Sequence, residues 1–299
     1  MLHEGEAKDL SKCRFTSFDG GYYDTFINPN SSIGEESIAS WIEGLNIGPI
    51  ERNKRLLDGM EVDIYVIQNN LAIEYHGEYY HNFEFRGDKY HKQEIVKSII
   101  KSKLGIISNK INARSCNVAQ IDSITKNNFL NNNHIQGSDR SAVAFGLYYK
   151  NELVSCMTFG RGYNQKEQQT ELVRFCNKLD TTVVGGASKL LKAYITQFKP
   201  VKMFTYADRR FANSSKFYET IGFKLCGQTV PNYFYFKSSM PQYMKLVHRY
   251  NFAKHLLPRK LKQYDASQTE YQNMKANGYF KIYDAGSFKY ELACGLLIN

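Results

Sequence analysis

The feature that most limits the fold is a glycine pair between a strand pattern and a helix pattern. Residues 171–176 have the pattern of a strand, and Gly185-Gly186 then open an apolar-periodic stretch that runs to about residue 198. Glycine adopts positive φ angles readily, which suits a tight turn into a helix. Further strand and helix patterns lie on both sides of this turn. This mixture indicates an α/β or α+β domain.

Charge is distributed unevenly along the 299 residues, which carry a formal net charge of +10. Residues 1–50 contain three Lys or Arg against eight Asp or Glu, whereas residues 201–299 contain fifteen against six. A basic, aromatic-rich chain with its positive charge toward one end indicates a polyanionic partner, most simply nucleic acid. A soluble basic protein without such a partner has the same composition, so charge alone leaves both interpretations open.

Simple patterns exclude several classes of protein. No run approaches eighteen apolar residues, so we expect no membrane span. The first six residues lack the basic and apolar regions of a signal peptide. The six cysteines are scattered without a C-x-x-C pair. This usage suits a reducing cytosol and gives neither a zinc site nor a disulfide framework.

Hydrophobic periodicity and turn residues predict the elements. Helices are predicted at about 33–45, 88–104, 122–131, 186–198, 213–221, 241–256 and 267–276. Strands are predicted at 61–67, 71–75, 142–149, 153–159, 171–176, 201–206 and 233–236, with a further strand pair near 279–292. Gln68-Asn69-Asn70 supplies a short turn, so the first two strands form a hairpin.

Acidic residues and histidines concentrate around this hairpin. Glu61 and Asp63 are two residues apart on a strand, so their side chains leave the same face. Two carboxylates on one face suit a hard cation such as Mg²⁺, which can neutralise a phosphodiester and help to activate water. Glu74, Glu78, His76, His81 and His91 follow closely. The alternative is that Glu61 and Asp63 are simply the solvent face of an edge strand.

Motifs in this region resemble the nuclease domain of phage-encoded homing endonucleases, which is similar to the very-short-patch-repair branch of the PD-(D/E)xK fold. They are Glu61-Val-Asp-Ile-Tyr, Leu71-Ala-Ile-Glu-Tyr-His-Gly-Glu-Tyr-Tyr-His81 and Lys89-Tyr-His-Lys92. The resemblance implies that Asp63 holds the metal and that His81 and His91 act in proton transfer. It also assigns Glu36 as a helical acid. In the commoner PD-(D/E)xK pattern Glu74 joins Asp63.

One departure from this family concerns the segment after Lys92. In the relatives an apolar strand follows at this point, whereas here the chain runs directly into a helix pattern. A small domain tolerates the loss of a core strand poorly, because the loss exposes an edge and removes apolar burial. A DNA-binding protein with a decayed nuclease core is therefore one alternative.

The central segment resembles the acetyltransferase-like (GNAT) fold. The motifs are Glu171-Leu-Val-Arg-Phe-Cys176, Val184-Gly-Gly-Ala-Ser-Lys-Leu-Leu191 and Lys216-Phe-Tyr-Glu-Thr-Ile-Gly-Phe223. In that family a glycine-rich turn at a helix N-terminus binds the coenzyme A pyrophosphate. The usual turn contains more glycine than this one. We therefore expect coenzyme A to be an unlikely ligand, and an acetyl-CoA-dependent N-acyltransferase is the other alternative.

The same segment is similar to the domain that follows the nuclease in those homing endonucleases, through motifs between Asn133 and Gly286. A phosphate-binding role in this part of the chain is assigned to seven basic residues: Lys189, Arg209, Arg210, Lys254, Arg259, Lys260 and Lys262. A basic run is also common on a merely solvated face, and Arg209 or Arg210 has Asp208 as a possible ion-pair partner.

The expected fold class is α+β, with four parts. They are a polar lead-in (1–32), a truncated PD-(D/E)xK nuclease-like domain (33–112), a GNAT-like α/β domain (113–240) and a basic C-terminal extension (241–299). The expected function is hydrolysis of double-stranded DNA with Mg²⁺, in the cytoplasm of an infected bacterial host. Asp63 and Glu61 are the expected metal ligands, and Asp63, His81, His91, Glu36 and Glu74 the expected catalytic residues.

Overall fold

The structure is a computed structural model that describes residues 2–4, 31–56, 60–73, 89–161, 169–209, 211, 216–237 and 247–294. These residues form a small N-terminal sheet, a two-stranded parallel pair, a seven-stranded central sheet and a three-stranded sheet near the end of the chain. Within these ranges, no helix is both long and apolar enough to cross a membrane.

The N-terminal unit packs two helices against a four-stranded antiparallel sheet. The helices are α1 (Ser31–Glu43) and α2 (Lys89–Lys103), and the strands are β1 (Leu2–Glu4), β2 (Ile50–Leu56), β3 (Met60–Val66) and β4 (Leu71–Ile73). The strand order is β1-β4-β3-β2. Ile64 and Val66 of β3 are buried together with Ile42 of α1 and Ile100 of α2.

The predicted hairpin is confirmed, since β3 and β4 pair antiparallel from Ile64 opposite Ile73 to Val66 opposite Leu71. A 3₁₀ turn and Asn70 in the left-handed conformation connect them. The sequence does not predict β2, which pairs with the other edge of β3. Its composition, Ile-Glu-Arg-Asn-Lys-Arg-Leu, is too polar to give a strand pattern.

The central part of the chain alternates strands and helices. In chain order these are β5 (Asn109–Asn112), β6 (Asn117–Gln120), α3 (Ser123–Asn133), β7 (Val143–Tyr149), β8 (Glu152–Arg161), β9 (Gln169–Asn177), β10 (Thr181–Val184), α4 (Gly186–Phe198), β11 (Lys202–Asp208), α5 (Lys216–Thr220) and β12 (Lys224–Gln228). Leu190 and Tyr194 of α4 are buried against Leu147, Phe159 and Leu172 of the sheet.

The described residues between 229 and 286 (229–237 and 247–286) form an insertion with its own sheet and core. Its elements are β13 (Tyr233–Lys237), β14 (Val247–His248), α6 (Leu257–Lys260), α7 (Glu270–Ala276) and β15 (Tyr279–Tyr283). The strand order is β14-β13-β15. Tyr235, Phe252 and Met274 are buried at the centre of this insertion. We call residues 229–286 the insertion below.

After the insertion, β16 (Ser287–Ala293) returns to the central sheet and pairs with both β11 and β12. The order of the seven described strands is β12-β16-β11-β9-β8-β7-β6. Every neighbouring pair in this sheet is antiparallel except β9 and β11, which are parallel and are connected through α4. A parallel pair requires such a crossover connection.

Two predictions for the C-terminal part are wrong. The expected strand pair near 279–292 does not form, because β15 pairs with β13 of the insertion whereas β16 pairs within the central sheet. The expected helix at 241–256 is replaced, over its described residues, by β14 and two short 3₁₀ helices. The strand 287–293 therefore lies in the same sheet as the strands of the GNAT-like segment.

Candidate active site

The proposed metal ligands Glu61 and Asp63 do lie on one side of β3, since their neighbours Val62 and Ile64 are buried on the other. The Glu61 carboxylate is 51% exposed and lies 3.8 Å from Arg55 Nε. Among the described residues, no group of three or more His, Cys, Asp or Glu side chains is placed to hold a metal ion. The exposed-strand alternative accounts for Glu61.

Of the other proposed nuclease residues, only Glu36 has a described side chain. Glu74, His76 and His81 lie outside the described residues, as does the side chain of His91, whose backbone lies in α2. Glu36 of α1 is described and accepts a hydrogen bond of 2.9 Å from Arg52 Nη1. This ion pair joins α1 to β2.

The basic residues proposed to bind phosphate are dispersed. Lys189 Nζ donates to the carbonyl oxygens of Ala113 and Cys116, so its ammonium group holds the chain between β5 and β6. Arg209 Nη1 donates to the Ala285 carbonyl oxygen at 3.1 Å. Arg210 lies outside the described residues. Lys254, Arg259, Lys260 and Lys262 all lie in the insertion and are exposed.

The central sheet opens between its two parallel strands. β9 and β11 pair over only three positions, from Gln169 beside Lys202 to Glu171 beside Phe204. Beyond this point β9 continues along β8 while β11 continues along β16. The two strands therefore separate at their carboxyl ends, where open α/β sheets usually bind ligands. We call this gap the opening.

A bulge on β9 lies beside the opening. Thr158 of β8 pairs with Arg174, and the next residue of β8, Phe159, pairs with Leu172, so Val173 is the extra residue. A bulge of this kind bends its strand and redirects its side chains. The next pair along, Gly160 with Glu171, places a residue without a side chain beside the Glu171 carboxylate.

Glu171 and Arg174 are two partly buried charges on this bulged strand. Burial raises the pKa of the Glu171 carboxyl above its ordinary value, and the Arg174 charge opposes that shift. Burial likewise lowers the pKa of the Arg174 guanidinium, against the charges of Asp139 and Glu171. In the described structure the one hydrogen bond of Arg174 runs from Nη1 to the Val173 carbonyl oxygen, and its buried Nε has no partner.

Helix α5 brings a tyrosine to the same place. Tyr218 stacks on Tyr290 of β16 with ring centroids 4.7 Å apart, and the preceding Phe217 stacks on Phe175 of β9. The helix thus spans from one side of the opening to the other. Burial raises the pKa of the Tyr218 hydroxyl, and a hydrogen bond with Thr205 and the charge of Arg174 partly offset this.

A buried ion pair lies beneath Arg174. Lys126 of α3 and Asp139 are 2.9 Å apart, and their side chains are only 3% and 5% exposed. Asp139 also accepts hydrogen bonds from Thr158 Oγ1 and Ser141 N. Burial alone would raise the pKa of Asp139, but its hydrogen bonds outweigh burial and keep the pKa below its ordinary value. Asp139 is therefore ionised, and both of its carboxylate oxygens accept hydrogen bonds.

The N-terminus of α4 lies at the end of the connection from β9. Gly185 caps the helix with a φ angle of 75° and offers no side-chain hydrogen bond to the first turn. A Cβ atom on Gly186 would lie 3.1 Å from two atoms of Val183, so the turn is closely packed. β10 pairs in parallel with β5, which places Val184 beside Asn112 and the exposed Arg114 close to the turn.

The sequence analysis did not single out Glu171 or Tyr218 as site residues, although both lie within the GNAT-like motifs. Nothing in the local pattern distinguishes Glu171 from the outward-facing glutamates of other strands. The signal appears only when β9 and β11 are seen to separate directly after it.

No family model and no curated protein matches the sequence. Solved structures that are similar to it include several acetyltransferases. A Bacillus subtilis acetyltransferase in complex with CoA is 13% identical, with a TM-score of 0.33, over 60% of this chain and 98% of that one. Spermidine/spermine N-acetyltransferase SpeG from Vibrio cholerae is 9% identical, with a TM-score of 0.37, over 62% and 97%. Naa50 from Arabidopsis thaliana, with a bisubstrate CoA analogue, is 14% identical, with a TM-score of 0.33, over 38% and 87%.

These findings correct the main functional prediction. The similar structures are GNAT-type acetyltransferases, so the prediction of a phage-encoded homing endonuclease is wrong. The predicted Mg²⁺ cofactor and double-stranded DNA partner belong to that prediction and are wrong with it. Among the described residues, no group of His, Cys, Asp or Glu side chains is placed to hold a metal ion. The expectation that coenzyme A is unlikely is also wrong, since similar structures contain CoA. The GNAT-like α/β part of the expected fold class is supported; its nuclease part is not.

Proposed function

We propose that the seven-stranded sheet forms an acyl-CoA-dependent N-acyltransferase, which transfers an acyl group from a CoA thioester to an amine. The observation that carries the proposal is the separation of β9 and β11 directly after Glu171, with Tyr218 held at the same opening. Amide formation needs one group that accepts a proton and one that donates a proton, and Glu171 and Tyr218 provide these next to the opening.

The turn before α4 fits the pyrophosphate of CoA. Free N–H groups at a helix N-terminus, together with the helix dipole, attract phosphate. Gly185 is exposed, and the first turn lacks a side-chain cap. Lys110 of β5, which pairs with β10, and Arg114 of the following 3₁₀ turn are both exposed and supply positive charge on this side of the turn. Lys189 is excluded from this role because its ammonium group already binds two carbonyl oxygens.

Coenzyme A would supply an acyl thioester, whose C–S bond breaks as the C–N bond of the amide forms. Glu171 accepts the proton that the amine nitrogen loses. Its raised pKa brings it closer to neutral pH, which makes it a better base than an exposed glutamate. Tyr218 stays protonated because its pKa is raised, so it can give a proton to the departing sulfur.

The test combines CoA binding with acyl transfer by the full chain. Calorimetric titration with CoA and a thiol-release assay with acetyl-CoA and a panel of primary amines are the two measurements. Glu171→Gln and Tyr218→Phe should each lower kcat by about a hundredfold or more while CoA still binds, because a general acid or base contributes at least that much.

Matched controls use exposed residues of the same types. Glu94→Gln and Tyr250→Phe, on α2 and in the insertion, should leave both measurements unchanged. The proposal fails if the wild-type chain neither binds CoA nor releases thiol with any amine. It also fails if the two active-site variants are as active as the wild type.

A further inference from the structure

The opening carries a positive charge that acyl transfer itself does not use. In the described structure, Arg174 donates no hydrogen bond to an acidic side chain. Its buried Nε has no hydrogen-bond partner. A buried guanidinium N–H without an acceptor costs free energy, because it loses its water and gains nothing in return. Such a group is well suited to receive an acceptor from a ligand.

The neighbouring acids do not fill this role. Asp139 uses one carboxylate oxygen for Lys126 and Ser141 and the other for Thr158. Glu171 interacts with Arg174 through its charge, but the two do not form an ion pair within 4.0 Å in the described part of the chain. A carboxylate and a guanidinium thus lie near each other on β9, and in the described structure neither forms an ion pair.

We propose that Arg174 binds the carboxylate of the acyl acceptor, and that the acceptor is a free α-amino acid. The inference rests on the proposed acyltransferase function and names the substrate class of the same site. An α-amino acid carries its amine and its carboxylate on one carbon. Its amine faces Glu171 while its carboxylate faces Arg174, and guanidinium groups bind carboxylates with paired N–H donors.

Glu171 has a neighbour without a side chain in the sheet. Its partner on β8 is Gly160, so no side chain covers the carboxylate from that strand. The Val173 side chain of the bulge packs directly against Gly160, since a Cβ atom there would lie 3.1 Å from Val173 Cγ2. The charges also balance, because Lys126 and Asp139 already neutralise each other.

The first experiment compares acceptors with and without a carboxylate. Initial rates of thiol release from acetyl-CoA are measured with the common L-amino acids and with their α-carboxamides. The wild type should prefer the acids, and Arg174→Met should raise their KM by about tenfold or more, the usual effect of losing a charge-assisted hydrogen bond. The loss of kcat/KM should be about tenfold larger for the acids than for the amides, because both lose the effect of Arg174 on Glu171 but only the acids lose a carboxylate contact. Arg161→Met, an exposed arginine on β8, is the matched control.

The second measurement follows ligand binding at the Arg174 side chain directly, without catalytic turnover. The ¹H–¹⁵N signal of Arg174 Nε, assigned by its loss in Arg174→Lys, should shift when N-acetyl amino acids are added and not when their amides are added. The inference is overturned if no acid shifts the signal, or if amides are acylated as well as acids by an active enzyme. If no amine is acylated, the proposed function is overturned instead. In that case the shift of the Arg174 Nε signal still shows whether Arg174 binds a carboxylate.

Discussion

The Thr205 hydroxyl of β11 donates a hydrogen bond of 2.8 Å to the Leu172 carbonyl oxygen of β9, at the point where the two strands stop pairing. Thr205 is only 1% exposed. One side chain therefore joins the strands at the start of the opening and also contacts Tyr218.

Thr205→Val should destabilise the chain by about 1–3 kcal/mol, because it leaves the buried Leu172 carbonyl without this donor. Urea unfolding measures the change. Thr220→Val removes an exposed hydroxyl that donates to Lys216 and serves as the control, with a loss below about 1 kcal/mol. Equal losses in the two variants would show that the link between β9 and β11 has no special importance.

Lys126→Met should destabilise the chain by about 3–5 kcal/mol, since it leaves the Asp139 charge buried without its partner. Lys101→Met breaks a more exposed pair with Asp180 and should cost less than about 1 kcal/mol. Thermal or urea unfolding of both variants gives the comparison. A small effect of Lys126→Met would mean that Asp139 is not held as a charged group.

The raised pKa of Glu171 gives a definite dependence of stability on pH. A carboxyl whose pKa is higher in the folded state destabilises that state once it must ionise. This contribution is absent below the ordinary glutamate pKa and grows as pH rises toward the raised value. Glu171→Gln should therefore gain stability relative to the wild type as pH increases through that window. A constant difference between the two proteins across pH would refute the raised pKa.

Replacing Gly286 with Ala should cost more stability than replacing Gly278, although both glycines have positive φ angles. A Cβ at Gly286 (φ 72°) would lie 2.6 Å from the Thr229 carbonyl oxygen, whereas one at Gly278 (φ 76°) would meet nothing within 4 Å. Gly278→Ala should cost about 1–2 kcal/mol from the left-handed backbone alone. Gly286→Ala should cost clearly more, as urea unfolding would show. Equal costs would mean that the junction between insertion and sheet adjusts freely.

Local patterns in the sequence predict much of this fold. The strands of the β3–β4 hairpin and the helix that follows Gly185-Gly186 are recovered, because alternation, helical periodicity and turn residues are local properties. Strand β2 is missed, because its side chains are mostly charged and its place is fixed by pairing with β3. The pairing of β16 with β11 is missed as well, because it joins residues about 85 positions apart.

The candidate site was less predictable than the fold. Acids and histidines near one another in sequence suggested a metal site around Asp63, but spacing along a strand does not establish that side chains converge. Glu171, Arg174 and Tyr218 converge only because β9 separates from β11 and α5 returns across the gap. That arrangement depends on the order of strands in the sheet, which local patterns do not specify.

The most direct test of the account is hydrogen–deuterium exchange of the full chain with and without CoA. We predict slower exchange at the turn and first helical residues 184–190 and along residues 172–177 of β9, with little change in the N-terminal sheet. Slower exchange confined to other parts of the chain, or none at saturating CoA, would contradict the central claim that the opening between β9 and β11 binds acyl-CoA.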